Sequence, residues 1–157
     1  FPTLHKKLKI LLGLVSLQIL YGAFTAGLKA GYMYPTYPKM GADWLPPSGI
    51  ESFQNLGLVT LFEDPVLVQF IHRWMAVIVV LFFLNFFLSA RKEDLSVLQK
   101  KCAKFLIWAI ILQFSLGVFT LIYAVPVSLG VLHQLGAVVV LVTLIIALYS
   151  YKATKEI

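Results

Sequence analysis

Acidic side chains are scarce in this chain. Seven Asp and Glu stand against thirteen Lys and Arg among 157 residues, and charged residues of either sign make up only 13%. Soluble globular domains carry about a quarter charged residues, so little of this chain is built to face water. Cysteine is all but absent. Cys102 has no partner for a disulfide and nothing with which to build a thiolate metal site, so it is expected to serve packing. No segment alternates apolar and polar residues with a strand period, which excludes a membrane β-barrel.

Apolar length is abundant instead. Hydrophobic residues make up 60% of the chain, and the mean hydropathy is +0.88. Four stretches, Leu8 to Leu28, Gln69 to Ala90, Phe105 to Tyr123 and Val127 to Tyr149, each approach the ~20 residues that cross a bilayer as a helix. The first is followed by a polar connection and matches the third too well to be a signal peptide. The expected fold is an all-α membrane protein, a four-helix up-down bundle. It forms one domain over residues 1–157, with repeats at about 8–90 and 102–150. The absence of an initiating Met points to a chain processed or excised from a longer one.

The net charge of +6 is not spread as a nucleic-acid surface would be. Lys6, Lys7 and Lys9 precede or open the first span. Arg91, Lys92, Lys100, Lys101 and Lys104 lie between the second and third, and Lys152 and Lys155 follow the fourth. The other two connections hold only Lys29 and Lys39, with Arg73 just inside the second span, against Asp43, Glu51, Glu63 and Asp64. The positive-inside rule then puts both termini on the cytoplasmic side of a bacterial inner membrane, or on the matrix side of a mitochondrial one. An even number of spans agrees.

The outer connection at 29–68 is long. Tyr32, Tyr34, Tyr37 and Trp44 in it suit the membrane interface. Pro46-Pro47-Ser48-Gly49 predicts a turn, and residues 50–60 a short surface helix. The second outer connection is a tight turn at Val125-Pro126-Val127-Ser128, with Ser128 as candidate N-cap.

A repeat runs through the spans. Leu17-Gln18-Ile19-Leu20-Tyr21-Gly22-Ala23-Phe24-Thr25 returns as Leu112-Gln113-Phe114-Ser115-Leu116-Gly117-Val118-Phe119-Thr120, and each copy is followed by a span with a histidine near its outer start, His72 and then His133. Two parallel hairpins related by an axis along the membrane normal bring these imidazoles to similar depth. Ionisable residues inside spans are costly and are functional candidates by default. Paired imidazoles suit the two axial positions of a heme iron. A zinc or copper site fits less well, because it wants a third or fourth ligand that this side of the chain lacks. Gly22 and Gly117 allow close approach between helices or to a flat macrocycle. Thr25 and Thr120 are expected to bond back to their own helices. Gln18 and Gln113 must find partners and are assigned a structural role away from the histidines. Arg73 and Lys29 are the outer cations available to heme propionates, with snorkelling to water as the alternative for Arg73. Tyr37 or Trp44 could cover the heme edge. His5 lies on the opposite side and reads as a surface residue.

These residues together resemble the heme A synthase family, the membrane enzymes that convert heme O to heme A for cytochrome oxidase. The resemblance covers nearly the whole chain. It is carried by Gly22-Ala23-Phe24-Thr25-Ala26-Gly27-Leu28-Lys29-Ala30-Gly31, by Thr36-Tyr37-Pro38-Lys39-Met40, and by Asn55 with Leu61-Phe62-Glu63-Asp64-Pro65 leading into Val68-Gln69-Phe70-Ile71-His72-Arg73. Leu132-His133-Gln134-Leu135-Gly136-Ala137 completes it. Family members usually have eight spans in two similar halves, and this chain resembles the C-terminal half. The resemblance implies that His72 and His133 ligate a heme b. The other half, which receives the heme substrate, carries a glutamate near its first histidine; Gln69 stands at that place here. Pro35 also departs from the pattern, which often has Asn before Thr. The implied partners are the N-terminal half of the same protein or a second copy, heme O, a heme O synthase, an electron donor and the lipid bilayer, with no nucleic acid. The parent reaction oxidises a ring methyl to a formyl group, and no catalytic residue is assigned in this half. Two other functions stay open on the sequence: a stand-alone b-type cytochrome, and a structural or transport bundle without heme.

Overall fold

The computed structural model describes residues 1–152, so Lys155 lies outside the described residues. Four long helices dominate: α1 (Pro2–Gly27), α4 (Pro65–Ala90), α5 (Val97–Ile122) and α6 (Val127–Ser150), with α2 (Pro47–Leu56) and α3 (Thr60–Glu63) in the outer connection. Each long helix is apolar enough to cross a bilayer. At 1.5 Å per residue they measure about 36–39 Å, longer than the ~30 Å hydrocarbon core. They close a ring in which α1 packs on α4 and α6, and α5 packs on α4 and α6. Every neighbour is antiparallel, and both ends of the described chain lie at one face.

The helices outrun the apolar stretches. α1 begins at Pro2 rather than Leu8, α5 at Val97 rather than Phe105, and α4 at Pro65 rather than Gln69. Hydropathy marks where lipid contact ends, but a helix continues while its caps and propensities allow. Lysine stems on the extra inner turns cover apolar surface while their charges reach water. The starts carry explicit signals. Asp64 Oδ1 accepts from the amides of Val66 and Leu67 at 2.9 Å with Pro65 at the first position of α4. Ser96 and Gln99 form a reciprocal capping box on α5.

Two turn expectations are corrected. Ser128 does not cap α6: Pro126 occupies that place, and no side-chain cap forms. The reversal lies earlier, at Ala124 and Val125, both left-handed with φ of 56° and 57°. Val125 N donates to Thr120 O at 2.8 Å, and the Val125 side chain packs on Gly31, where a Cβ would come within 2.8 Å. Likewise Pro46 caps α2, and Pro47, Ser48 and Gly49 form its first turn instead of a separate bend. Gly49 is needed there, since a Cβ would meet Leu45, Val66 and Leu67 at 3.2–3.3 Å. The surface helix expected at 50–60 is present as α2, a 3₁₀ turn at Gly57–Val59 and α3.

The tightly packed core occupies the inner half of the ring. Leu4, Leu8, Leu11 and Val15 of α1 meet Val79, Phe83, Phe86 and Ala90 of α4, Cys102, Ala103, Leu106 and Ile110 of α5, and Val140, Leu144 and Ala147 of α6. Cys102 packs there, as expected. Tyr151 closes this end. Its ring lies edge-on to Phe86 and its hydroxyl donates to Gln99 O at 3.2 Å. Burial pushes that phenol up to about 12, so it stays a neutral donor. Outward of Val15, Val79, Ile110 and Val140 the packing loosens, and it tightens again only where Tyr21 and Val66 to Gln69 are buried near the outer connection. The facing positions of α4, from Phe70 to Ile78, are half-buried or exposed.

Candidate functional site: two glutamine–histidine pairs

His72 is the eighth residue of α4 and His133 the seventh of α6, so both lie about 9–11 Å along their helices from the outer end. The structure thus places the histidines at matching depth, just outward of the closed core.

Each histidine is held by the first helix of its own hairpin. Gln18 Nε2 lies 3.1 Å from His72 Nδ1 and donates to the His72 carbonyl at 3.1 Å. Gln113 Nε2 lies 3.2 Å from His133 Nδ1 and donates to the His133 carbonyl at 2.8 Å. The same contact therefore occurs twice. This corrects the separation expected between glutamines and histidines. Gln18 and Gln113 stand nine residues, about 13.5 Å, from the outer ends of α1 and α5. With α4 starting at Pro65 and α6 at Val127, that depth is within a side chain's reach of both imidazoles. A signal was available in the sequence. Each glutamine lies four residues before the glycine of its repeat, on the same helix face, and that glycine faces the histidine.

The glycines form the floor of each pair. A Cβ on Gly22 would come 3.3 Å from His72 Cε1, and one on Gly117 would come 2.8 Å from His133 Cε1. The imidazoles lie directly on helix backbone there. Gly136 does the same for the amide of Gln113, whose Cδ would be 3.3 Å from an added Cβ. Thr25 and Thr120 donate to the carbonyls of Tyr21 and Leu116 in their own helices, as expected.

Arg73 has a different setting. Its guanidinium donates to Thr36 O at 2.6 Å, to Lys39 O at 3.3 Å and to Tyr34 O. Gln69, buried one turn earlier, donates to the same Tyr34 carbonyl at 3.3 Å. Together they fold the Tyr34–Met40 segment back on α4. Tyr37 reaches across to α5 and packs edge-on to Phe114, the neighbour of Gln113, while Trp44 packs on Trp74 and under Lys39. Lys29, left-handed at φ 53°, is exposed at the outer end of α1.

Arg73→Ala is expected to release this segment. Loss of a charge-assisted bond costs about 1.5–3 kcal/mol, so amide exchange over residues 34–41 should quicken roughly tenfold or more. Arg73→Lys should restore little, since a single ammonium cannot fork to three carbonyls. Hydrogen exchange read by mass spectrometry checks both.

Among the described residues no group of three or more His, Cys, Asp or Glu is placed to hold a metal ion. Among the described residues, the imidazoles of this region are those of His72 and His133.

Fold and site together define an integral membrane protein, a four-helix bundle with a twofold-repeated glutamine–histidine–glycine setting in its outer half. The chain belongs to the cytochrome oxidase assembly protein family, whose model matches residues 2–145. It is 38% identical over 149 residues to the heme A synthase of Paracoccus denitrificans, covering 92% of this chain and 38% of that protein. It is 39% identical to the heme A synthase of Rhizorhabdus wittichii (84% and 36% covered) and 36% identical to that of Flavobacterium psychrophilum (91% and 42%). The chain thus spans about two fifths of the length of these relatives. No solved structure matches it.

Proposed function

We propose that this chain is the cofactor-binding half of a heme A synthase and holds a heme b between His72 and His133. The observation that carries this reading is the repeated setting: two imidazoles at one depth, each on a glycine floor and each tied by a glutamine. The residues fit the group. His72 and His133 would hold the iron through their imidazoles, and backbone floors at Gly22 and Gly117 suit close approach of a flat ring. Buried glutamine oxygens without partners, Oε1 of Gln18 and of Gln113, lie beside the ligands.

When bound, a heme supplies a one-electron iron centre. Held by two histidines, such a centre would suit electron transfer or structural support, not oxygen activation. His72 and His133 are the ligands in this reading. Lys29 is the free outer cation for a propionate. Arg73 offers a propionate Nε, which is buried and without a partner, while its other nitrogens hold the outer segment. Gln69 supports a cofactor role over a substrate role, since its amide cannot act as a carboxylate base and is committed to the Tyr34 carbonyl.

The oxidation of a heme O ring methyl to a formyl group is then work of the whole protein. The substrate-receiving half is the N-terminal half of the same polypeptide or a second copy of this one. An electron donor and a heme O synthase are its further partners. The lysine-rich face, with both termini, is cytoplasmic in a bacterial inner membrane or faces the matrix of a mitochondrial one.

A reduced-minus-oxidised absorption spectrum and a pyridine hemochrome of the detergent-purified full-length protein test the reading. Low-spin bands with a b-type hemochrome are expected. Well-folded protein that takes up no heme would sink it. Bound heme in a protein whose loss leaves heme A formation unchanged would favour a stand-alone cytochrome instead.

A further inference from the structure

We propose that Gln18 and Gln113 are positioning residues for the axial imidazoles, each amide orienting its histidine through Nδ1 and the backbone carbonyl and thereby setting the redox balance of the bound iron. This rests on the bis-histidine reading above and adds a role that the ligand set does not contain.

The inference starts from hydrogen-bond satisfaction. Both residues are half-buried, with the Oε1 of each shielded from solvent. In both, Nε2 serves the histidine carbonyl and faces Nδ1, while Oε1 has no partner. One orphaned oxygen is an accident of packing. The same orphan at the same place in two repeats is a pattern, because an unmet buried acceptor costs about 1–3 kcal/mol each time.

The chemistry of an axial imidazole supplies the missing partner. A histidine that binds iron through Nε2 carries its proton on Nδ1, and that N–H needs an acceptor. The nearest acceptor each glutamine can offer is its Oε1, on the same carbon as the Nε2 that lies 3.1–3.2 Å from Nδ1. The terminal torsion of glutamine is soft. A modest turn of the amide lets Oε1 take the Nδ1 proton while Nε2 keeps the carbonyl. Both amide atoms and both histidine polar groups are then satisfied, and ring orientation and tautomer are fixed together.

Such a bond has an electronic consequence. An acceptor on Nδ1–H makes the imidazole a stronger donor to the metal and favours ferric over ferrous iron. Each glutamine contacts a different histidine, so their effects on the bound iron should accumulate.

The test uses the heme-loaded full-length protein with Gln18→Leu, Gln113→Leu, Gln18→Glu and Gln113→Glu. The ferric-to-ferrous equilibrium is read by potentiometric titration, and ligand orientation by the low-spin electron paramagnetic resonance g-values. Each Leu variant should favour the ferrous form by roughly tenfold, equal to about 59 mV for a one-electron couple, with shifted g-values. Each Glu variant, matched in shape and a stronger acceptor, should move the balance the other way and keep the heme. A role in packing alone predicts lower stability in the Leu variants with potential and g-values at wild type in every variant that retains heme, and that result would overturn the proposal. If a Leu variant fails to fold, the Glu pair decides by the same criterion. Failure of the ligand reading itself looks different: wild-type protein would then show no low-spin heme.

Discussion

Alanine at either His72 or His133 should abolish the low-spin heme spectrum while leaving the bundle folded. Each histidine would supply one of the two protein ligands in the proposed site, so deleting either would remove half of them and the low-spin signature with it. Heme affinity should fall by at least about 100-fold, beyond the 10–100-fold typical of losing an outer-sphere partner. The two single variants should look alike, because the two settings match in depth and partners. The double variant should add little to either, as expected for residues acting as a unit. Helicity should survive, because the packed core lies inward of both histidines, from Leu4 to Val15 on α1 and from Val79 to Ala90 on α4. Phe83→Ala provides the contrast. It removes a ring buried at the centre of that core, and should destabilise the bundle by about 3 kcal/mol while the remaining folded protein keeps its spectrum. Difference spectra, heme-to-protein ratios and circular dichroism on the same preparations separate the two cases.

The second large effect concerns a glycine. Gly117→Leu should expel the cofactor and pry α5 from α6. An added Cβ would stand 2.8 Å from His133 Cε1, closer than carbon atoms approach, and a leucine adds three more carbons beyond it. The ring cannot swing away freely because Gln113 holds both its Nδ1 and its carbonyl. Overpacking of this kind costs about 1–3 kcal/mol. Here it falls on the most extensive helix pair of the fold. Gly22→Ala should be mild by comparison, since its Cβ would meet His72 at 3.3 Å and a few tenths of an ångström of movement suffices. Heme content and thermal midpoint measured across Gly117→Ala, Gly117→Leu and Gly22→Ala should fall in that unequal order. Equal losses at the two glycines would show that the contacts do not govern binding.

How far the site was legible from the sequence depends on the range of the interaction involved. The histidines were legible because the repeat copies a whole hairpin, and equal offsets along two helices of equal direction force equal depth. The self-bonded threonines were legible because a hydroxyl and the carbonyl four residues back belong to one turn. The glutamines were misplaced. Each is tied to a histidine in another helix, and that contact depends on helix register and side-chain reach: α4 begins at Pro65, which sets His72 four residues deeper than the apolar stretch implies, while His133 on α6 is met by the reach of Gln113 alone. Arg73 shows the same limit. Its three acceptors are carbonyls of a connection that carries no repeat and no periodicity, so nothing in the spacing announces them.

By itself the sequence determined four membrane-spanning helices, their antiparallel order and the matched depth of His72 and His133. Hydropathy, charge asymmetry and repetition are local or additive along the chain, and they survive any detail of packing. The tertiary structure alone decided that Gln18 and Gln113 clasp the imidazoles, that Gly117 is the tighter floor, and that Arg73 clamps the outer segment. Those outcomes are set by where side chains from separate helices meet, to within an ångström, and hydrogen bonds and steric contacts change sign over that distance.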